Sequence, residues 1–114
     1  MKIALVEDDP AQRTALALEL DLPGRSVVTG AYADAESALR ELPRAWPDVV
    51  LVDLSLPGLD GATLIARLRA LAPQLVCVVH SSHEEPARIF GALKAGAVGY
   101  LLKDSSATDL LLAL

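Results

Sequence analysis

Five short apolar runs, spaced by segments of helical periodicity, constrain the fold of this chain more than any other feature. The runs are Lys2 to Val6 (KIALV), Ser26 to Ala31 (SVVTGA), Val49 to Asp53 (VVLVD), Leu75 to His80 (LVCVVH) and Val98 to Leu102 (VGYLL). Four of them are nearly continuous in Val, Leu and Ile rather than alternating with polar residues. Strands read this way when both faces are buried, as in a parallel sheet covered by helices on both sides.

The intervening segments supply those helices. Asp9 is placed as an N-cap, with Pro10 at the first helical position of a helix running to about Leu20. Ala35, Ala38, Leu39 and Leu42 recur at i, i+3, i+4 and i+7, a core-facing stripe. Leu64, Leu68 and Leu71 are read as the same kind of stripe in a third helix, closed by Pro73. Ala87 to Lys94 forms a fourth, which Gly96 is placed to end, and Ser106 followed by Asp109 resembles a capping box for a fifth. The order is (βα)5, so right-handed crossovers onto a twisted parallel sheet are expected.

Composition narrows the function. A length of 114 residues suits one domain spanning 1–114. A formal charge of −5, with no local cluster of Lys and Arg, argues against direct nucleic-acid binding. Cys77 is the only cysteine, which rules out an intrachain disulfide, and within LVCVV it reads as a buried inert thiol. The apolar start is too short for a signal peptide and no run is long enough to cross a membrane, so a cytoplasmic location is expected. The last helix stops at Leu114 after the apolar run LLLAL with no C-cap, which suggests either a chain cut from a longer protein or a helix covered by something else.

The polar residues that could carry chemistry collect at one edge. Glu7, Asp8 and Asp9 follow the first strand, Asp53 ends the third, Ser81 and Ser82 follow the fourth, and Lys103 follows the fifth. Ligand sites of open α/β sheets lie outside these carboxyl ends. Converging carboxylates repel each other and persist where a cation compensates them, and an all-oxygen, incomplete ligand set suits Mg²⁺. A carboxylate can attack phosphorus to form an aspartyl phosphate, while a metal and a lysine ammonium neutralise the transferring group.

The stretches ALVEDDP, PDVVLVDLSLPGLDG, VVHSS and KAGAVGYLLKDSS together resemble a bacterial two-component response-regulator receiver domain across essentially the whole chain. The resemblance implies a flavodoxin-like, CheY-like α/β fold with a five-stranded sheet in order 2-1-3-4-5. It implies Asp53 as phosphoacceptor, Mg²⁺ held by Asp8 directly, by Glu7 mostly through water, by Asp53 and by the Ser55 backbone carbonyl. Ser81 would be the switch hydroxyl, Lys103 would pair with phosphoryl oxygens, and Tyr100 would be the switch aromatic. Pro57 and Gly61 would shape the loop beside the acceptor, and Ser55 and His83 would stand at positions that tune phosphoryl loss. A histidine kinase would be the donor. ALKAGAVGYLLKDSS most resembles receivers joined to LuxR-type helix-turn-helix output domains, which implies transcription regulation through an own or partner output domain. The apolar last helix suggests a phosphorylation-sensitive homodimer or a docking face.

Departures from the family pattern are few. Ser81 stands where threonine is commoner and keeps the hydroxyl. Asp104 replaces the frequent proline after Lys103, so no cis peptide is expected there. His80 occupies an apolar strand position and reads as a partly buried structural histidine; with His83 it lacks a third ligand for zinc. A phosphatase of the haloacid-dehalogenase type would need a second acid two residues after Asp53, where Ser55 stands. A flavin or nucleotide module would need a Gly, Ser or Thr-rich loop after the first strand, where acids stand instead. A degenerate receiver working as a phosphorylation-independent interaction module is the remaining alternative, against which Glu7, Asp8, Asp53, Ser81 and Lys103 are all intact.

Overall fold

Each apolar run forms a strand in the computed structural model, which describes residues 1–81 and 86–103. The strands are β1 (Lys2–Val6), β2 (Val27–Tyr32), β3 (Val49–Val52), β4 (Val76–Ser81) and β5 (Gly99–Leu102). They make one sheet in the order β2-β1-β3-β4-β5, every pairing parallel. Four helices are described: α1 (Pro10–Leu20), α2 (Ala35–Glu41), α3 (Gly61–Leu71) and α4 (Pro86–Ala95), with a 3-10 turn at Leu42–Arg44. The strand ends differ from the sequence reading by one residue: β2 and β4 begin and end one later, β3 stops before Asp53, and β5 starts at Gly99. The expected fifth helix, with Ser106 and Asp109, falls outside the described residues, as do Ser82, His83 and Asp104.

Strand periodicity divides the core into two layers. Ala4, Val6, Val50, Val52, Cys77 and Val79 point to one face and pack with Ala38 of α2, Leu64 and Leu68 of α3 and Ala92 of α4. Ile3, Leu5, Val49, Leu51 and Val78 point to the other and meet Leu16 and Leu20 of α1. All four β3 residues are buried, which is why the run carries no polar alternation. By contrast β2, an edge strand, alternates between exposed and half-buried positions and carries Thr29 and Gly30.

The helix ends follow side-chain chemistry. Asp9 accepts from the backbone N–H groups of Ala11 and Gln12, with Pro10 at the first position of α1. Asp34 accepts from Ser37 at 2.7 Å and Asp60 from Thr63 at 2.8 Å, capping α2 and α3. At the far end of α4, Gly96 has φ 121°, Gly96 N–H donates to Leu93 O, and Ala97 N–H donates to Ala92 O. That pair of bonds is a Schellman ending, and it needs the positive φ that glycine supplies.

One expected core residue is corrected. Leu71 is 60% exposed, whereas Gly61, Leu64, Ile65 and Leu68 are the buried residues of α3 and Ala72 is buried beyond its end. At about 100° per residue the buried stripe centres between Leu68 and Ile65, which leaves Leu71 at its margin and brings Ala72 inward.

Cys77 is fully buried in β4, and burial pushes its thiol up to about 11, the charge of Arg69 acting weakly the other way. Burial, through lost access and a raised pKa that the arginine does not offset, predicts an inert thiol. Ellman's reagent at mildly alkaline pH is expected to find none in the native protein and one per chain in strong denaturant; rapid native labelling would contradict the packing of β4.

Candidate functional site

The sheet's carboxyl edge sets the backbone of two acids through ladder bonds. Just past β1, Glu7 N–H donates to Tyr32 O at 2.9 Å, and just past β3, Asp53 N–H donates to Val6 O at 3.0 Å. Each acid therefore extends a parallel ladder by one residue, and adjacent strands bring the two carboxylates together. Both are buried, Glu7 at 2% and Asp53 at 4% exposure, while Asp8 is exposed at the rim. Oxygens of Glu7, Asp8 and Asp53 lie within 4.8 Å of one another.

Lys103 enters from the far side of the sheet. Its backbone N–H donates to Ser81 O at 2.9 Å, which fixes the residue just beyond β5. Its ammonium donates to Asp53 Oδ2 at 2.9 Å and sits 2.8 Å from Glu7 Oε1. The second contact is an ion pair without hydrogen-bond alignment, so Glu7 Oε1 is a buried oxygen that makes no aligned hydrogen bond among the described residues. The other Asp53 oxygen, Oδ1, accepts from Ser55 N–H at 3.0 Å.

These contacts separate the two buried acids electrostatically. Burial pushes the Asp53 carboxyl up, but the hydrogen bonds from Ser55 and Lys103, with Glu7 and the lysine charge, outweigh it and leave the group below its usual range. Burial pushes Glu7 up and prevails there: against the opposing lysine, and reinforced by Asp53, it raises the carboxyl to about 7. Burial lowers the Lys103 ammonium, yet the two carboxylates more than compensate and hold it above its ordinary value. One lysine thus serves two carboxylates, with a third at the rim.

The loop after β3 is shaped by glycine. A Cβ on Gly61 would overlap the Asp53 carbonyl oxygen and lie 2.8 Å from Leu54 Cα, so only glycine lets the first turn of α3 approach the acid so closely. Gly58 takes φ 70° within the same loop, after Pro57. Ser55 is exposed there.

Ser81 is fully buried at the end of β4, and Leu102 is its register partner in β5. Tyr100 is half-buried against the core on β5, opposite Val79. His80 is buried, on the strand face away from Val79, and burial first, then the Lys103 charge, holds its imidazole below the usual value despite Asp53. It joins no metal-ligating cluster among the described residues.

Two arginines in the site were not singled out from the sequence. Arg13 of α1 donates to the Glu7 carbonyl at 2.9 Å and reaches the Asp8 carbonyl at 3.5 Å. Arg88 of α4 donates to Ser55 Oγ at 3.3 Å. Arg13 had one readable signal, its position four residues after the Asp9 cap. Arg88 had none.

The site as assembled offers a buried ionised carboxylate, a paired lysine and oxygens converging on one point. Comparison with known proteins gives the family. Residues 3–114 match the family model for the response regulator receiver domain. The chain is 35% identical over 113 residues to a protein of Mycobacterium tuberculosis named "Probable transcriptional regulatory protein NarL", covering 99% of this chain and 52% of that protein. It is 36% identical over 114 residues to the nitrate/nitrite response regulator protein NarL of Escherichia coli, covering 98% and 52%. The chain thus spans about half the length of the curated relatives it matches. Among solved structures, the signal receiver domain of the Mycobacterium tuberculosis NarL superposes with a TM-score of 0.91 at 36% identity, covering 98% of this chain and 90% of that one. The isolated receiver domain of RcsB from Salmonella enterica, solved with the phosphomimetic BeF3−, superposes at 0.88 with 28% identity, covering 99% and 84%.

Proposed function

Because the chain belongs to the response regulator receiver family, we propose that it is a phosphorylation-dependent switch in which Asp53 accepts a phosphoryl group from a sensor histidine kinase. The observation that carries this reading is the state of Asp53: a buried carboxylate kept ionised by Ser55 N–H and the Lys103 ammonium. An ionised oxygen attacks phosphorus, the new O–P bond forms, and the bond from phosphorus to the donor nitrogen breaks. Lys103 remains beside the reacting oxygens and offsets the charge they carry.

The residues present fit Mg²⁺. Glu7, Asp8 and Asp53 give only oxygen ligands, the set is incomplete, and the buried Glu7 Oε1 makes no aligned hydrogen bond among the described residues. Glu7, Asp8, Asp53 and the Ser55 carbonyl would hold the ion. When bound, it supplies positive charge to a phosphoryl group arriving at Asp53. Among the described residues Lys103 is the one cation paired with the two carboxylates, which leaves a charge deficit that a divalent cation would make good.

In this reading the chain assists its own phosphorylation and hydrolysis without being a conventional enzyme. Ser81 answers the phosphoryl group, Tyr100 turns inward, and the surface around α4 and β5 shifts between two pre-existing states. The output would be transcription regulation, through a DNA-binding domain of the same or a partner chain, as in the regulators it resembles. No helix among the described residues is long and apolar enough to cross a membrane.

Intact mass after incubation with acetyl phosphate tests the reading. A gain of one phosphoryl group with Mg²⁺ and none with EDTA is expected. The same gain in EDTA would remove the metal from the reaction, and no gain beside a working receiver control would favour a phosphorylation-independent module.

A further inference from the structure

Two of the three clustered carboxylates, Glu7 and Asp8, sit on a short irregular stretch between β1 and α1. Like charges so close push that stretch outward, and the residues beyond Glu7 lack the ladder bonds that hold a strand. Something else must keep the acids aimed inward. Arg13 is built to do so. It stands at the fourth position of α1, counted from the Asp9 cap, and helical side chains lean toward the N-terminus. Its guanidinium therefore turns back over the loop, donating to Glu7 O at 2.9 Å and reaching Asp8 O at 3.5 Å. The same loop is closed from within by Asp9 N–H, which donates to Glu7 Oε2 at 3.3 Å.

The choice of acceptor is what matters. Arg13 binds carbonyls, and no ion pair links it to either carboxylate among the described residues. It holds the backbone of both acids without consuming the oxygens a cation would need. Lys103 does the reverse, occupying carboxylate oxygens directly. Both contacts start from one nitrogen, Nη1, so a single end of the guanidinium ties the two neighbouring carbonyls together.

We propose that Arg13 is a positioning residue that preorganises Glu7 and Asp8 for a divalent cation. The inference rests on the metal reading of the preceding subsection. Supporting groups of this kind commonly alter metal affinity by about tenfold or more.

The test is Mg²⁺ titration by calorimetry on the wild type, Arg13→Ala, Arg13→Met and Arg13→Lys, with thermal midpoints measured in EDTA. Arg13→Met keeps the alkyl stem and removes only the donors, so it stands in if the alanine variant does not fold. Expected is an affinity loss of about tenfold for alanine or methionine and partial recovery for lysine, with folded protein at the titration temperature. Wild-type affinity in folded Arg13→Met would overturn the positioning role. Absence of Mg²⁺ binding by the wild type would instead overturn the metal reading beneath it, so the two failures are distinguishable.

Discussion

Asp53→Asn is expected to carry no acid-labile phosphate after treatment with acetyl phosphate and Mg²⁺, while its far-ultraviolet circular dichroism matches the wild type. The amide has nearly the shape of the carboxylate but no ionised oxygen to attack phosphorus. Its backbone N–H still donates to Val6 O, so the ladder that sets the site is untouched. Loss of the charge removes a partner from Lys103, yet Glu7 remains 2.8 Å from the ammonium and no longer faces a second buried carboxylate. The two effects oppose each other, so stability changes little while acceptance falls to nothing. Phosphate on the variant at the wild-type level would move the acceptor elsewhere, Asp8 being the nearest acid left with a solvent-facing side chain.

Much of this arrangement is legible in the sequence because it depends on backbone position. Glu7, Asp53, Ser81 and Lys103 stand at or just beyond strand ends, and a parallel sheet brings all such ends to one edge whatever the details of packing. The resemblance to receivers added roles to those positions, and the family match bears out the family and the fold; the roles themselves rest on the proposed reading. What the sequence did not disclose depends on orientation. Leu71 fits a spacing of i, i+4 and i+7 from Leu64, but Ile65 and, just past the helix end, Ala72 are buried instead, and spacing alone does not fix where a stripe is centred. Arg13 and Arg88 escaped notice for a related reason. A single arginine on a helix has no periodic signature, and its partners here are a backbone carbonyl pair and a serine hydroxyl. Nor does any pattern reveal that one buried acid is driven up and its neighbour down, since that follows from which oxygen meets Ser55 N–H and the lysine.

That split carries a pH signature, expected in metal-free protein. Glu7 is raised from 4.5 to about 7, first by burial and then by Asp53, against the pull of Lys103. The folded state therefore holds an extra proton on Glu7 between those two values, and the stability this group contributes declines as pH rises through the window. The contribution is complete below pH 4.5 and gone above about 7. Asp53, lowered in the folded state, acts in the opposite sense and at more acid pH: its contribution is present above its ordinary 3.8 and is lost on further acidification. Chemical denaturation in EDTA should thus show the site contributing most near the ordinary carboxylate range and less at neutrality. One pKa unit corresponds to about 1.4 kcal/mol, and solvent at the open rim of the site reduces the whole to on the order of 2 kcal/mol. Glu7→Gln removes the titrating group and keeps its shape, so the fall that Glu7 contributes between pH 4.5 and 7 should be absent from it, while the opposing rise from His80, held below its ordinary 6.5, is common to both proteins. An identical pH dependence in both proteins would place the proton elsewhere and break the link between burial of Glu7 and the charge deficit that a cation at this site would relieve.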